Sequence, residues 1–209
     1  MVRLGAEEEL IGRLGAPDAF AAACDVNRQT LGSSYIDYVF TVSSAAHAIS
    51  LALGAFLLTV CEALRPEAAV DLGSGFSSYV LRRYAAAQSV RPRVVSVDDD
   101  RSWLEKTEAF LGAAGLPEGE LVHWSDFRGQ EAAFDVVLYD LGTWERRIES
   151  LQEAIRLARP GALIILDDLH VAGYRSAVER TLDDGALTPV DISRFTTDEF
   201  GRYSWGVFV

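Results

Sequence analysis

Val70-Asp71-Leu72-Gly73-Ser74-Gly75-Phe76-Ser77-Ser78 joins an apolar run to an amphipathic one through two glycines, as a strand does when it ends on an acid and turns sharply into a helix. Glycine at positions 73 and 75 lets the backbone turn tightly and lets a ligand come close where a Cβ would stand. Outward from this turn, short β-branched runs alternate with amphipathic runs, the pattern of a parallel sheet covered by helices on both faces. Strands are predicted over residues 68–72, 93–98, 120–124, 134–140, 162–167, 187–192 and 203–209. Helices are predicted over 77–87, 101–115, 145–159 and 173–182, the third stopped by Pro160-Gly161. Residues 193–202 are too few for a helical crossover, so the last two strands should form an antiparallel hairpin. The fold class expected is therefore α/β: a Rossmann-like, seven-stranded, mostly parallel sheet with a reversed last strand.

Upstream, residues 1–65 lack strand character and read as helical, with breaks at Gly15-Ala16-Pro17 and Gly32-Ser33-Ser34. With 209 residues and 49% hydrophobic content, one core is expected. The chain is read as a single domain, 1–65 forming a helical cap over the strand ends and 66–209 the ligand-binding core. Residues 45–61 are apolar except for His47, Ser50 and Thr59 and approach the length of a membrane span. Glu62 and Arg65 follow at once, so the run is read as a buried helix or an oligomer interface, and a homodimer is expected from it. His47 is read as a core residue of that helix.

Composition narrows the partners. Thirty-one acidic against 19 basic side chains leave a net charge of -12, which repels phosphate backbones and anionic membranes; neither nucleic acid nor membrane is an expected partner. Cys24 and Cys61 show no metal-binding spacing and read as core residues of a reducing compartment, so a cytoplasmic location is expected. Met1 to Glu9 carry charge early and hold no leader-like apolar segment.

The acid before the glycines separates two ligand classes. In dinucleotide sites that position is usually apolar, and a third glycine lets the helix pack close beneath the pyrophosphate. Here Asp71 precedes the turn and Ser77-Ser78 stand where the third glycine would fall. A carboxylate beside the loop repels a pyrophosphate but suits a cationic ammonium group. Asp98 closes the next predicted strand, with Asp99 beside it, where a carboxylate can accept both hydroxyls of a ribose. S-adenosylmethionine fits this set better than NAD.

The run from Asp71 to Ser78, the Asp98 strand end, Ser125-Asp126 after the third strand and Phe134-Asp-Val-Val-Leu-Tyr-Asp140 together resemble the class I S-adenosylmethionine-dependent methyltransferases, from residue 68 to the C-terminus. The resemblance implies that Asp71, Gly73, Ser74, Gly75 and Ser78 serve the methionine end, Asp98 and Asp99 the ribose, and Ser125 with Asp126 the adenine edge, with Asp140 also in cofactor reach. Taken alone, Ser125 and Asp126 read equally well as a helix cap.

Within that class, the helical cap and strand-end acids look closest to small-molecule O-methyltransferases of the catechol type, which use magnesium. The resemblance implies a metal held by Asp140, Asp167 and Asp168, three carboxylates suited to a hard cation. Two departures stand against it. Asp168 replaces the usual asparagine, and residues 141–146 hold no lysine, the single lysine being Lys106. Helix capping by Asp167 and Asp168 is the alternative. His170, just after the fifth strand, is the candidate general base, with Asp140 a second catalytic candidate. Tyr35 and Tyr38 are read first as packing residues and second as walls of the acceptor pocket, and Trp144 as either a wall of that pocket or a packing residue. The reading is methyl transfer to a small-molecule acceptor, most simply to an oxygen. Aminopropyl transfer on the same fold and adenosyl binding without catalysis remain open alternatives, while no catalytic pattern supports a nicotinamide dehydrogenase.

Overall fold

The computed structural model describes residues 12, 14, 16–127 and 132–209; Met1 to Glu9 and Gly15 of the first predicted break lie outside them. Helix α1 (Pro17–Thr41) and helix α2 (Leu51–Leu64) lead into β1 (Ala68–Leu72), α3 (Phe76–Ala87), β2 (Arg93–Asp98), α4 (Arg101–Ala113), β3 (Glu120–His123) and a single turn, α5 (Trp124–Phe127). Then follow β4 (Phe134–Tyr139), α6 (Trp144–Leu157), β5 (Ala158–Leu166), α7 (Ala172–Asp184), β6 (Pro189–Asp191), a single turn, α8 (Ser193–Thr196), and β7 (Trp205–Phe208).

The seven strands form one sheet in the order β3-β2-β1-β4-β5-β7-β6. β1 to β5 pair in parallel, and β7 runs antiparallel to both β5 and β6. The predicted hairpin and reversed last strand are both present. The main boundary shift is at β5, which starts at Ala158 because α6 stops at Leu157, before the Pro-Gly pair that the sequence offers as its end.

Apolar side chains fill both faces. On one face Ala69, Val136, Leu138, Leu163 and Ile165 meet α1, α2 and α3. On the other, Val70, Val95, Val137, Ile164 and Val207 meet side chains of α6 and α7. Alternate residues of each strand thus enter different cores, as the period of two requires.

The N-terminal region differs from the expected cap. α1 runs unbroken through Gly32-Ser33-Ser34, although a mid-helix glycine costs about 1 kcal/mol. Leu31 and Tyr35 on either side are buried in the core, and Ser34 Oγ lies 2.8 Å from the Tyr79 hydroxyl. Tertiary packing outweighs the local cost. α2 is shorter than the apolar run: Ser50 caps its start by accepting from Leu53 N at 2.9 Å. Residues 52–61 are all buried, against α1 and the sheet face of their own chain, so the apolar run is a core helix and offers no face to a second subunit. Residues 42–50 form a loop instead, and it is this loop with the end of α1 that reaches the carboxyl edge of the strands. No helix among the described residues is long and apolar enough to cross a membrane, and Cys24 and Cys61 are both free and buried.

Candidate active site

A cavity of about 570 Å³ opens at the carboxyl ends of the parallel strands, where the β1–α3 turn, the end of β2, the β4–α6 connection and the end of β5 converge. Ligands of open α/β sheets bind at this edge. Its floor is the glycine turn. Gly73 has φ 103°, and a Cβ there would collide with the backbone carbonyl of Asp140. A Cβ at Gly75 would lie 2.6 Å from the Tyr38 hydroxyl. Both glycines are required by close approach, and Gly73 by its left-handed backbone as well.

Asp71 braces this turn from beneath. Its buried carboxylate accepts from Ser96 Oγ at 2.5 Å, Ser78 Oγ at 2.6 Å and Ser77 Oγ at 2.8 Å. Burial raises its pKa; nearby Arg82 and the three hydroxyls pull it back, without cancelling the shift. Asp71 is fully buried and does not line the cavity. Its hydrogen bonds are spent on holding the turn to α3 and β2, and Ser78, which also accepts from Gly75 N at 3.0 Å, shares that task.

Asp98 does face the cavity. Its Oδ2 accepts from Ser74 N at 2.7 Å and Ser74 Oγ at 2.9 Å, and its Oδ1 from Asp100 N at 3.0 Å. Burial pushes the Asp98 carboxyl above its usual range, with these donors acting the other way. Ser74, Asp99 and Trp103 line the same side. Asp100 caps α4 through Ser102 N. Ser125 and Asp126 lie outside the cavity wall: Ser125 Oγ is 2.8 Å from His123 Nδ1, and Asp126 pairs with Arg101 at 3.6 Å.

The three acids of the strand ends come together, as expected, at the far wall. An arginine lies among them. Arg147, in the first turns of α6, places Nη2 2.5 Å from Asp140 Oδ1 and Nη1 3.0 Å from Asp168 Oδ2. Burial alone would lower the pKa of this guanidinium; Asp140 and Asp168 outweigh it and the net shift is upward. Burial, and then the charges of Asp167 and Asp168, hold Asp140 well above the usual carboxylate range despite Arg147. Asp167 accepts from Ser204 Oγ at 2.7 Å and is pushed up to about 6 by burial and by Asp168. Among the described residues no group of His, Cys, Asp and Glu could hold a metal ion. The magnesium expectation therefore fails to find its geometry, because a guanidinium bridges two of the three carboxylates.

His170 lies beside this cluster, Nδ1 3.5 Å from Asp168 Oδ1, and outside the cavity wall. His47, expected in the core, stands instead exposed on loop 42–50 and lines the cavity, with Nδ1 3.0 Å from Ser44 Oγ. Arg202 also reaches the wall and ties down that loop, donating to the carbonyls of Ala45, Ala46 and Ala48 at 2.8–3.1 Å. Tyr38 and Trp144 line the cavity, whereas Tyr35 packs edge-on to Phe76 in the core. Arg147 and Arg202 carry no motif; only folding brings them here.

The arrangement of strands, glycine turn and strand-end acids is the Rossmann-like methyltransferase fold. Solved structures of that fold match nearly the whole chain. The O-methyltransferase TomG from Streptomyces achromogenes, involved in tomaymycin synthesis and solved with SAM, is 19% identical over 97% of this chain and 94% of its own, with a TM-score of 0.62. An O-methyltransferase from Bacillus cereus in complex with SAH is 16% identical over 97% and 96%, with a TM-score of 0.62. The SAH-bound methyltransferase PaMTH1 from Podospora anserina is 10% identical over 100% and 97%, with a TM-score of 0.64. By sequence, no family model matches the chain, and no curated protein does.

Proposed function

We propose that this protein is an enzyme that transfers the methyl group of S-adenosylmethionine to an oxygen of a small molecule. The observation that carries the reading is the charge of the cavity: seven carboxylates line it against two arginines. A cofactor bearing a sulfonium and an ammonium against one carboxylate is net cationic and suits such a wall, whereas a pyrophosphate does not. The glycine turn leaves the space a close-lying ligand needs. Asp98, with Asp99, is assigned the ribose hydroxyls, the flat face of Trp103 the adenine, and the start of α3 at Phe76-Ser77 the methionine carboxylate. The expected adenine-edge roles of Ser125 and Asp126 are kept only as outer neighbours of Asp99, through His123, whose Nε2 lies 3.1 Å from the Asp99 carbonyl.

S-adenosylmethionine supplies an electrophilic methyl group: an acceptor oxygen forms the new O–C bond as the S–C bond breaks, leaving S-adenosylhomocysteine. The chain's part is to align the acceptor and take its proton. Asp140, buried at the cavity wall with a raised pKa, is assigned the first acceptance of that proton, and His170, beside Asp168, its passage to solvent. Substituting His170 with Ala should lower kcat about 10- to 100-fold with KM for the cofactor unchanged; an equal fall in His47→Ala and none in His170→Ala would move the role to the loop.

The same reading takes residues 1–209 as one unit in a reducing, cytoplasmic setting, with a small-molecule acceptor as partner, and assembles it as a homodimer. What supports the dimer is α1, not α2. Ala22, Val26, Gln29, Ser33, Ile36 and Phe40 follow one another at steps of four and three and are all exposed and uncharged, the spacing of a helix-pairing seam.

The test of the function is calorimetry of S-adenosylmethionine into wild type and Asp98→Ala, with NAD and decarboxylated S-adenosylmethionine alongside. Micromolar binding that falls on the order of 100-fold in the variant is expected from losing two charge-assisted hydrogen bonds. No heat from folded, cofactor-free protein sinks the reading, and preference for the decarboxylated donor would turn it towards aminopropyl transfer.

A further inference from the structure

Asp140 closes β4, and Asp167-Asp168 follow β5, so a parallel sheet brings all three to one edge. What differs here is that one of them, Asp168, sits at φ 60°, a left-handed backbone that residues other than glycine seldom adopt. That conformation delivers its carboxylate to Arg147 Nη1 at 3.0 Å. The neighbouring terminal nitrogen, Nη2, meets Asp140 Oδ1 at 2.5 Å and donates to the Gly142 carbonyl at 3.4 Å. Arg147 is itself buried, yet it forms part of the cavity wall.

A divalent cation of magnesium type needs its oxygens about 2.1 Å away and thus about 3 Å from one another. Here Asp140 and Asp168 each pair with a terminal nitrogen of one guanidinium, so the charge they would give a metal is already matched and the place between them is taken. We propose that Arg147 is the resident cation of this cluster: it excludes a divalent metal from the site and itself supplies the fixed positive charge beside which the acceptor oxygen sheds its proton. The second half of this statement rests on the methyl-transfer reading; the first half does not.

The experiment titrates Mn²⁺ into wild type, Asp168→Ala, Arg147→Ala, Arg147→Gln and the double variant Arg147→Ala/Asp168→Ala, following free Mn²⁺ by electron paramagnetic resonance. Thermal melts establish folding of each, and Arg147→Gln keeps most of the side-chain volume should the alanine variant fail to fold. Expected are no stoichiometric site in wild type up to millimolar Mn²⁺, one site at least tenfold tighter in the folded Arg147 single variants, and its loss in the double variant. Stoichiometric Mn²⁺ binding by wild type that Asp168→Ala abolishes would overturn the proposal. So would folded Arg147 single variants that bind Mn²⁺ no better than wild type. S-adenosylmethionine calorimetry on the same wild-type sample reads the methyl-transfer assignment separately, because its failure leaves the manganese result standing.

Discussion

Asp71, Asp98 and Asp167 each close or nearly close a parallel strand, and their environments give them three different tasks. Asp71 is enclosed by seryl hydroxyls and serves the backbone. Asp98 keeps one side to the cavity. Asp167 is the titrating member, at about 6, above the ordinary carboxyl value near 4 that it has in the unfolded chain. Between about pH 4 and pH 6 the folded protein retains a proton that the unfolded chain has released. The contribution of this carboxyl to stability therefore falls as pH rises through that window, by about 1.4 kcal/mol per unit, and stays at its lowest above it. Asp167→Asn keeps an acceptor for Ser204 and does not ionise. Its stability relative to wild type should rise from pH 4 to pH 6 and then level off in denaturant melts; a difference independent of pH would contradict the assignment.

At the scale of elements, α1 and α2 exchange the roles that their sequences suggest. The more apolar helix, α2, is consumed by the core of its own chain, with Phe56, Leu57, Val60 and Cys61 fully buried. The more polar one, α1, leaves Val26, Ile36 and Phe40 exposed, the last at 84%. A 25-residue helix is about 37 Å long, enough for a paired seam. If that seam joins two copies, wild type should sediment as a dimer at micromolar concentration and Ile36→Glu/Phe40→Glu as a monomer that still binds S-adenosylmethionine. A wild-type monomer at tens of micromolar would remove the dimer. Gly32 within this helix illustrates why its predicted break is absent: a propensity penalty of about 1 kcal/mol is smaller than the burial of Leu31, Tyr35 and Tyr38 around it, each worth roughly 1.5–3 kcal/mol.

For the molecule as a whole, the sequence by itself determined the order and type of the strands, the glycine turn and the edge on which ligands bind. These are local or nearly local properties. A period of two, a glycine pair and a strand-terminal acid are written in adjacent residues, and in a parallel sheet every strand's carboxyl end falls on the same edge. The tertiary structure alone decided which acids face the cavity and what neutralises them. Arg147 stands one position beyond the lysine-free stretch 141–146, and nothing in its neighbours signals that it will meet a carboxylate 21 residues away; Arg202 reaches a loop more than 150 residues distant. His47 left the core only because Ser50 starts α2 after it. The direction and partner of a charged side chain depend on residues brought close by folding, since desolvation and pairing act through space and leave no periodic trace along the chain.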